Sequence, residues 1–587
     1  MRRSKKRGGY GNAPQPSLPA AASSAYNQPM NEALMPDEKH AAASQGRQKH
    51  VDAVLLSKST KKLVVAGPGT GKTNLFKRIL EGKHKTLTLT FVNSLVEDLS
   101  LELCGLSDVK TLHGFARGAF GKDNKIFPRL SSVIREDANI LLGKQIDFDA
   151  LFHNRDDGNE HIQFYKKRKD YYDYYGYADI VFAAVKYYEA KADKIPEYEH
   201  VVVDEFQDFN KLEVSLIDLL ARKSPILLAG DDDQALYAFK HASAEHIRGR
   251  HTDKAHGFES FTLPYCSRCT QVIVDAINDV ISTAIGKGNL QGRIKKDYIY
   301  FTDKKKDKES ESNPKLVYAQ MFSSQIPWFI EKQMAEIAEE VKDKFSVLII
   351  SPTKTQTNTV VSSLMEKGLN NLTYVEKKEE NSATIMDGFR LLLEDDNGNL
   401  GWRVVAKHML TDADFATLIK ATDADSKQKT HSLLKADLKK RIRAVLKTLR
   451  ALKKDENVDS KQVATALELI GVDPITVAKE HLKSEVVVES RGRYPAIRNI
   501  PIKATTIQSS KGLAADYVFI THFDDLYFIK EKDKTKVSDQ DICNFLVAMT
   551  RARKKVFLIS SDTKKEPTFL GWIKTERIEK IVFKKPE

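Results

Sequence analysis

The chain has 587 residues, of which 41% are hydrophobic, and its formal net charge is +13. This length predicts several domains, and the basic balance favours a polyanionic partner, nucleic acid before membrane. The chain has no apolar run of the roughly 18 residues that a membrane-spanning helix needs, so no membrane partner is expected. Four cysteines are too few for a disulfide framework in a chain of this length. We therefore expect a reducing compartment: the cytoplasm or nucleoid of a bacterium, or the nucleus if the source is eukaryotic.

The first elements in chain order are a tail and a helix. Residues 1–42 are rich in Pro, Ala, Ser and Gly and begin with a basic cluster, so we predict a disordered basic tail. A helix-like segment follows from Gln45. The amide of Gln48, or that of Gln45, can both donate to and accept from the edge of an adenine base. A surface glutamine without a ligand is the alternative.

A glycine-rich loop, Ala66-Gly67-Pro68-Gly69-Thr70-Gly71-Lys72-Thr73, follows an apolar strand and precedes a helix-compatible segment. Strand, glycine loop and helix form the context of a phosphate-binding P-loop. The glycines let backbone N–H groups surround phosphate oxygens, and the helix N-terminus favours an anion. The pattern predicts that Lys72 reaches the β- and γ-phosphates of ATP and that the Thr73 hydroxyl binds Mg²⁺.

Two adjacent carboxylates, Asp204 and Glu205, follow the apolar strand Val201-Val202-Val203. Asp204 is predicted to hold Mg²⁺, and Glu205 to polarise the attacking water as a general base. After the next strand, Gln234 is placed where an amide can sense the γ-phosphate. An aromatic residue and a cation, Phe239 and Lys240, follow it closely. This arrangement predicts a coupling between the state of ATP and a stacked base.

Four further segments leave alternatives open. Residues 165–172 interleave basic and aromatic residues, which suits a nucleic-acid strand or a partly buried helix with a charged face. Residues 304–308 are predicted to form a solvated charged loop. Residues 434–452 form a basic amphipathic helix that either docks duplex DNA or exposes its basic face to solvent. Cys266 and Cys269 form one CxxC without a second ligand pair nearby, so no metal site is predicted.

The ordered set AGPGTGKT, TFVN, TLHGF, VVVDEFQD and GDDDQALYAF resembles the UvrD/Rep family of superfamily 1 DNA helicases. The resemblance covers nearly all of residues 45–565. It implies an α/β fold with two RecA-like P-loop motor domains, 1A and 2A, each carrying a mainly helical insertion, 1B or 2B. The implied ranges are 43–118 with 195–262 for 1A, 119–194 for 1B, 263–375 with 495–587 for 2A, and 376–494 for 2B.

The resemblance also assigns residues from the second motor domain. Arg268 matches the arginine that contacts the γ-phosphate, and Arg551 matches the family's arginine finger. The family's adenine-stacking tyrosine is Ser267 here, so Tyr265 is the candidate substitute. In the TxHxxKGLE-like motif at 506–514, Gln508 replaces the histidine and Ala514 replaces the glutamate that contacts ribose. The residues expected to hold ATP are Gln48, Ala66, Gly67, Pro68, Gly69, Thr70, Gly71, Lys72, Thr73, Tyr265 and Gly512.

The implied function is ATP-dependent 3′-to-5′ movement on single-stranded DNA, with unwinding at single/double-strand junctions, in repair, replication or recombination. The implied catalytic residues are Lys72, Glu205, Gln234, Arg268 and Arg551. The residues expected along the DNA path are Phe91, Asn93, His113, Tyr237, Phe239 and Lys240. Two alternatives remain: a translocase that strips proteins or serves a nuclease or repair partner without unwinding, and an ATP-gated DNA-binding scaffold.

Overall fold

The computed structural model describes residues 35–91, 93–119, 124–237, 240–341, 344–369, 371–375, 382–454, 460–469, 471, 497 and 500–582. Of residues 93–95, 453, 460, 463 and 582 it describes the backbone alone. In the part of the chain that is described, no helix is both long and apolar enough to cross a membrane.

The strands of the described ranges are mostly short apolar runs, as is typical of buried parallel sheets. In chain order they are β1 Lys61–Ala66, β2 Thr86–Thr90, β3 Asp108–Thr111, β4 His200–Val203, β5 Ile226–Gly230, β6 Glu259–Leu263, β7 Tyr265–Cys266, β8 Ile299–Tyr300, β9 Leu316–Gln320, β10 Val347–Ser351, β11 Leu372–Tyr374, β12 Ile502–Thr506, β13 Ala515–Ile520, β14 Ala552–Ser560 and β15 Ile578–Val582.

The α-helices of the same ranges connect these strands. In chain order they are α1 Pro36–Leu56, α2 Lys72–Leu80, α3 Asn93–Glu102, α4 Leu112–Gly118, α5 Leu130–Leu142, α6 Phe148–His153, α7 Glu160–Tyr172, α8 Tyr177–Ala190, α9 Lys211–Leu220, α10 Glu245–Thr252, α11 Gln271–Gly286, α12 Lys304–Ser312, α13 Ile326–Glu340, α14 Lys354–Glu366, α15 Ile385–Glu394, α16 Asn399–Met409, α17 Asp412–Ala424, α18 Ala436–Lys453, α19 Ser460–Glu468, α20 Asp525–Phe528 and α21 Asp539–Met549.

The first sheet has the strand order β3-β2-β4-β5-β1-β6, and every pairing in it is parallel. Alternate residues of β1 enter two different cores: Leu63 and Val65 pack on one face, and Val64 and Ala66 on the other. A parallel sheet with a core on each face is the doubly covered α/β arrangement. We call this sheet and its helices the first domain.

The second sheet has the order β11-β12-β10-β13-β14-β9-β15, again with parallel pairings. Its strands also divide between two cores, as Leu348 and Ile350 face one and Val347 and Ile349 the other. We call this sheet and its helices the second domain. The prediction of two α/β domains with mostly parallel sheets is therefore confirmed.

Two helical groups are inserted between strands. The first group, α5–α8, lies between β3 and β4, and the second group, α15–α19, lies between β11 and β12. The two groups pack against each other, since Leu391, Leu400 and Val404 of the second belong to the core that contains the first. The apolar face of α18 is buried in the second group's own core, and Leu438 and Ile442 lie there.

The structure corrects the prediction for two segments and chooses between the alternatives for a third. Residues 36–42, assigned to the disordered tail, begin α1, because Pro36 favours the first helical turn and Asp37 and Glu38 suit its N-terminus. Residues 304–308 form the start of α12, which Asp303 caps, and not a loop. Residues 165–172 lie in α7, where Tyr165 and Arg168 are buried, so the partly buried helix is the correct alternative.

Candidate active site

The P-loop joins the end of β1 to the start of α2. Gly69 and Gly71 adopt positive φ angles of 70° and 93°, which favour glycine because a Cβ is disfavoured there. The Thr70 hydroxyl donates to the carbonyl of Gly67 at 2.9 Å and closes the loop. Lys72 and Thr73 follow as the first residues of α2. The loop therefore presents backbone N–H groups and the Lys72 ammonium to one point, as phosphate binding requires.

Asp204 and Glu205 lie directly after β4, beside the P-loop. Lys72 Nζ donates to Glu205 Oε1 at 3.2 Å and lies 3.8 Å from Asp204 Oδ1. Burial raises the pKa of Asp204 to about 6, although Lys72 opposes this shift. Burial also acts to raise the pKa of Glu205, but the charges of Lys72 and Lys511 outweigh it and hold that pKa well below its usual value. The pKa of Glu205 is therefore lower than usual and that of Asp204 is higher than usual, although the two carboxylates are adjacent in the chain.

Gln207 fixes the second oxygen of Glu205. Its Nε2 donates to Glu205 Oε2 at 2.7 Å, and its Oε1 accepts the backbone N–H of Asp231 at 2.9 Å. A Cβ at Gly230 would come within 2.5 Å of Gln207 Oε1. The glycine therefore leaves the room that this side chain needs, and the general-base candidate is held in one orientation.

Gln234 and Arg551 meet across the two domains. Gln234 Nε2 donates to Asp231 Oδ2 at 2.5 Å, and Arg551 Nη2 donates to Gln234 Oε1 at 3.2 Å. Arg551 follows α21 of the second domain and is buried. Burial, reinforced by the charge of Arg268, lowers the pKa of Arg551 to about 10, so the guanidinium stays charged at neutral pH. The amide of Gln234 and the guanidinium of Arg551, from opposite domains, are thus in direct contact.

Arg268 lies on the turn between β7 and α11, against the P-loop. The Ser267 backbone N–H donates to the carbonyl of Gly69 at 3.0 Å. A Cβ at Gly69 would collide with the Cβ of Arg268. Lys306 Nζ donates to the carbonyl of Arg268 at 2.7 Å and to Glu309 at 2.6 Å. The turn that carries Arg268 is therefore held by both domains.

A cleft of about 1200 Å³ opens beside the P-loop, between the domains. Residues 69–73 line one wall, and Ser267 and Arg268 line the other. Three lysines of α12 also line it, namely Lys305, Lys306 and Lys308. The segment predicted as a solvated loop thus contributes cations to the cleft. The excess of basic groups suits a ligand with several negative charges.

The residues proposed to hold the base and sugar of ATP do not line the cleft. The Gln48 side chain is on the exposed face of α1, where it donates to Asp52 at 2.6 Å and accepts from Arg78 at 3.3 Å. The Tyr265 ring lies 6.1 Å from the His50 ring. Gly512 has a φ of 90° in the turn after the short 3₁₀ helix Gln508–Ser510. The structure brings neither Gln48 nor Tyr265 into the wall of the cleft.

Sequence reasoning missed two lysines that join the domains. Lys511 of the second domain donates to Asp208 at 2.5 Å and to the carbonyl of Gln234 at 2.9 Å, and lies 3.5 Å from Glu205. In the sequence, Lys511 could have been recognised as a site residue by its position within the motif that contains Gly512. Lys296 lies within 3.0 Å of three consecutive carboxylates of the first domain, Asp231, Asp232 and Asp233. Nothing in the residues around Lys296 marks it in the sequence.

The residues expected along the DNA path differ in exposure. Phe91 and His113 are half-buried and Lys240 is exposed. Tyr237 is buried, where its ring lies 4.8 Å from that of Phe91 and its hydroxyl donates to the carbonyl of Gln508 at 3.3 Å. The structure therefore places Tyr237 in the contact between the domains. Two further residues, Phe239 and the side chain of Asn93, lie outside the described residues.

Mg²⁺ is a hard cation that prefers oxygen ligands and the company of phosphates. The hydroxyl of Thr73 and the carboxylate of Asp204 supply this kind of donor beside the P-loop. Burial of Asp204 makes a nearby cation favourable, since it disfavours an isolated negative charge there. The chemistry of the donor set therefore fits the metal.

Comparison with known proteins agrees with this geometry. Residues 131–255 match the family model described as the UvrD/REP helicase N-terminal domain. DNA helicase II of Haemophilus influenzae is 32% identical over 133 residues, which are 21% of this chain and 18% of that protein. DNA helicase II of Escherichia coli is 34% identical over 91 residues, or 15% and 12% of the two chains. ATP-dependent DNA helicase PcrA of Leuconostoc citreum is 30% identical over 109 residues, or 18% and 14%.

The matches thus span less than a fifth of each of these three relatives. The residues matched by the family model include Asp204, Glu205 and Gln234, and the P-loop precedes them in the chain. Residues 131–255 are therefore similar to the N-terminal domain of UvrD/REP helicases, and the two parallel sheets agree with the RecA-like P-loop fold that this similarity implies.

Proposed function

We propose that the chain is an ATP-dependent DNA helicase that moves along single-stranded DNA. The observation that carries this proposal is the contact of Arg551 with Gln234, at 3.2 Å across the domains. It supports an ATP site completed only when both domains are together. Lys72 would bind the β- and γ-phosphates, and Arg268 and Arg551 would stabilise charge on the transferring phosphoryl group.

Glu205 is the proposed general base for the attacking water. A triphosphate offers Lys72 stronger anionic partners than Glu205 does, so binding of the nucleotide would draw Lys72 away. The pKa of Glu205 then rises towards its usual value, because its largest opposing charge has moved. Gln207 keeps the carboxylate aimed throughout, since it holds Glu205 Oε2. The basicity of Glu205 would therefore depend on whether Lys72 is bound to a nucleotide phosphate.

Mg²⁺ would be held by Thr73 and Asp204. When bound, it would neutralise charge on the phosphate oxygens. The chain's own part is to place a hydroxyl and a carboxylate beside Lys72 and to keep Asp204 Oδ1 oriented through the backbone N–H of Glu205, at 2.9 Å.

Movement on DNA is proposed to follow from closure of the cleft. The DNA path would run past Phe91, His113 and Lys240, where a ring can stack on a base and a cation can meet a phosphate. Tyr237 links this region to the second domain through Gln508, as does Lys511 through Asp208. A change of the nucleotide at Gln234 would therefore reach the DNA path through these contacts. By analogy with the family, movement is 3′-to-5′, at single/double-strand junctions.

Strand displacement tests the unwinding part of this proposal. Duplexes with a 3′ overhang, a 5′ overhang or blunt ends are incubated with ATP and Mg²⁺, and release of the labelled strand is followed. We expect release from the 3′-overhang duplex, and none with Glu205→Gln. ATP turnover stimulated by single strands without any release contradicts unwinding and favours the translocase that strips proteins or serves a nuclease partner. DNA binding without turnover favours the scaffold.

A further inference from the structure

Two cysteines bracket the turn that carries Arg268. Cys266 ends β7, Cys269 precedes α11, and Ser267 and Arg268 lie between them. Both thiols are completely buried and both are free. The spacing is that of a CxxC redox pair, and at this spacing a disulfide closes over the two intervening residues. Its formation would therefore act on Ser267 and Arg268 before any other residues.

The position of this turn depends on its backbone. Ser267 docks on the carbonyl of Gly69 at 3.0 Å, and the Thr270 N–H donates to the carbonyl of Arg553 at 3.0 Å. Lys306 holds the carbonyl of Arg268 at 2.7 Å. These contacts fit one conformation of the turn. A change in its backbone dihedrals would withdraw Ser267 from the P-loop and re-aim Arg268.

The two thiols are chemically unequal. Burial acts to raise the pKa of Cys266, but hydrogen bonds from Cys269 and Tyr298 outweigh it and lower the pKa to about 6. The hydrogen bond to Cys266, together with burial, raises the pKa of the Cys269 thiol well above its usual value. One thiolate that attacks and one thiol that resolves is the arrangement used in thiol–disulfide exchange.

Access to Cys266 depends on the contact between the domains. Tyr298 Oη lies 3.0 Å from Cys266 Sγ and 2.9 Å from the carbonyl of Pro68 in the P-loop. Tyr298 belongs to the core of the second domain. Cys266 and Cys269 belong to the same core, and separation of the domains would break the contact of Tyr298 with Pro68, so that Tyr298 could move away from Cys266.

We propose that Cys266 and Cys269 form a reversible disulfide that displaces Arg268 and stops ATP turnover, an inference that rests on the proposed role of Arg268. The oxidant is a low-molecular-weight disulfide such as oxidised glutathione. The Cys266 thiolate attacks one of its sulfurs and expels a glutathione thiolate. Cys269 then loses its proton, attacks the Cys266 sulfur and expels the second thiolate. The two cysteine thiols lose two protons and two electrons in total, and glutathione disulfide becomes two thiols.

The test combines peptide mass mapping with ATP turnover of the full chain, before oxidised glutathione, after it, and after dithiothreitol. We expect a peptide linked between Cys266 and Cys269, a loss of turnover of about tenfold or more, and recovery in dithiothreitol. A non-hydrolysable ATP analogue should slow the linkage. Cys269→Ser should stop at a glutathione adduct on Cys266, and Cys266→Ser, or Cys266→Ala should the serine variant not fold, should keep its turnover. Cys104→Ser, which removes an exposed thiol, should behave as wild type.

Other results would overturn the inference. Linkage without loss of turnover would show that the turn does not control Arg268. Modification of Cys104 while Cys266 and Cys269 remain thiols would show that the pair does not react with oxidised glutathione. This result can be obtained with the wild-type protein alone. If the reduced wild type has no turnover, the proposed function itself fails. If the reduced wild type turns over ATP but oxidised glutathione does not change that turnover, only the inference about the cysteines is contradicted.

Discussion

At the scale of single residues, the backbone of the first domain packs tightly against Arg268 of the second domain at Gly69. Its φ of 70° and the Cβ of Arg268 both exclude a side chain there. Gly82 is a matched control, because its φ is 74° but a Cβ would meet no atom within 4 Å. A side chain would therefore strain the backbone at both positions, but of the two only Gly69 would also bring a Cβ into collision with Arg268.

We expect Gly69→Ala to lower ATP turnover by about tenfold or more, because the added methyl group holds Arg268 away from the P-loop. Gly82→Ala should leave turnover near that of wild type and cost about 1 kcal/mol of stability. Steady-state phosphate release at saturating ATP measures both variants. Equal turnover in the two variants would contradict the close packing of the domains at this point.

Stability should depend on pH through His200, which is buried and whose Nε2 has no hydrogen-bond partner among the described residues. Burial, with the charges of Lys83 and Lys62, lowers the pKa of His200 from 6.5 to about 4. The unfolded chain therefore binds this proton first, so stability is present above pH 6.5 and is lost as the pH falls towards 4. The full loss is about 3 kcal/mol.

Thermal unfolding of wild type and His200→Phe between these pH values checks this expectation. The phenyl ring keeps the buried volume but has no titrating group, so the variant should lose less stability on acidification. If the stability of the two proteins falls by the same amount as the pH is lowered, His200 does not titrate as argued.

Adjacent residues in one motif were predictable, whereas contacts between distant motifs were not. Lys72, Asp204 and Glu205 were assigned because the chemistry of a P-loop and of paired carboxylates is local to a strand end. Lys511 and Lys296 were missed, since their partners lie more than 50 residues away in the other domain. The positions of Gln48 and Tyr265 show the same limit, because the packing of α1 and of β7 decides which side chains reach the cleft.

At the scale of elements, α7 illustrates how charge can mislead. Its basic and aromatic residues suit a nucleic-acid strand, but Arg168 is buried and donates to Asp137 of α5 at 2.7 Å. Arg403 of α16 donates to the other oxygen of the same carboxylate at 2.8 Å. Tyr172 Oη also lies 2.5 Å from Asp137. This buried cluster joins the two helical groups, and its members are up to 266 residues apart in the chain.

Asp137→Asn should destabilise the protein by about 3–5 kcal/mol, because two buried guanidinium groups would lose their common counter-charge. Asp170→Asn, on the exposed face of α7, should change stability by less than about 0.5 kcal/mol. Urea unfolding of both variants measures the difference. A small effect of Asp137→Asn would contradict the view that this cluster holds the helical groups together.

At the scale of the whole molecule, ion pairs connect the two domains beside Gln234. Lys296 is almost completely buried, and the charges of Asp231, Asp233 and Asp232 outweigh the burial that would lower its pKa. Lys296→Met should leave these carboxylates short of one cation and weaken closure of the cleft. We expect kcat/KM for ATP to fall by about tenfold or more.

Lys295→Met is the matched control, because Lys295 is exposed and adjacent. It should keep the kcat/KM of wild type. If Lys296→Met also keeps it, the ion cluster is not part of closure.

Two parallel sheets covered by helices were implied by the resemblance of the motifs to a helicase family, and the strand pairings agree with that prediction. The packing of one helical group on the other was not, because no local pattern pairs Arg403 with Asp137. The resemblance predicted which residues of the two domains come together, such as Arg551 and Gln234. It did not predict the contacts that hold these residues in place.

The central claim is that one ATP site, completed by both domains, responds to DNA. Steady-state ATP hydrolysis with and without single-stranded DNA tests it most directly, in wild type, Lys72→Ala and Arg551→Ala. We predict that single strands stimulate wild-type turnover by about tenfold or more and that both variants lose it. Turnover that ignores DNA, or that survives Arg551→Ala, would contradict the account.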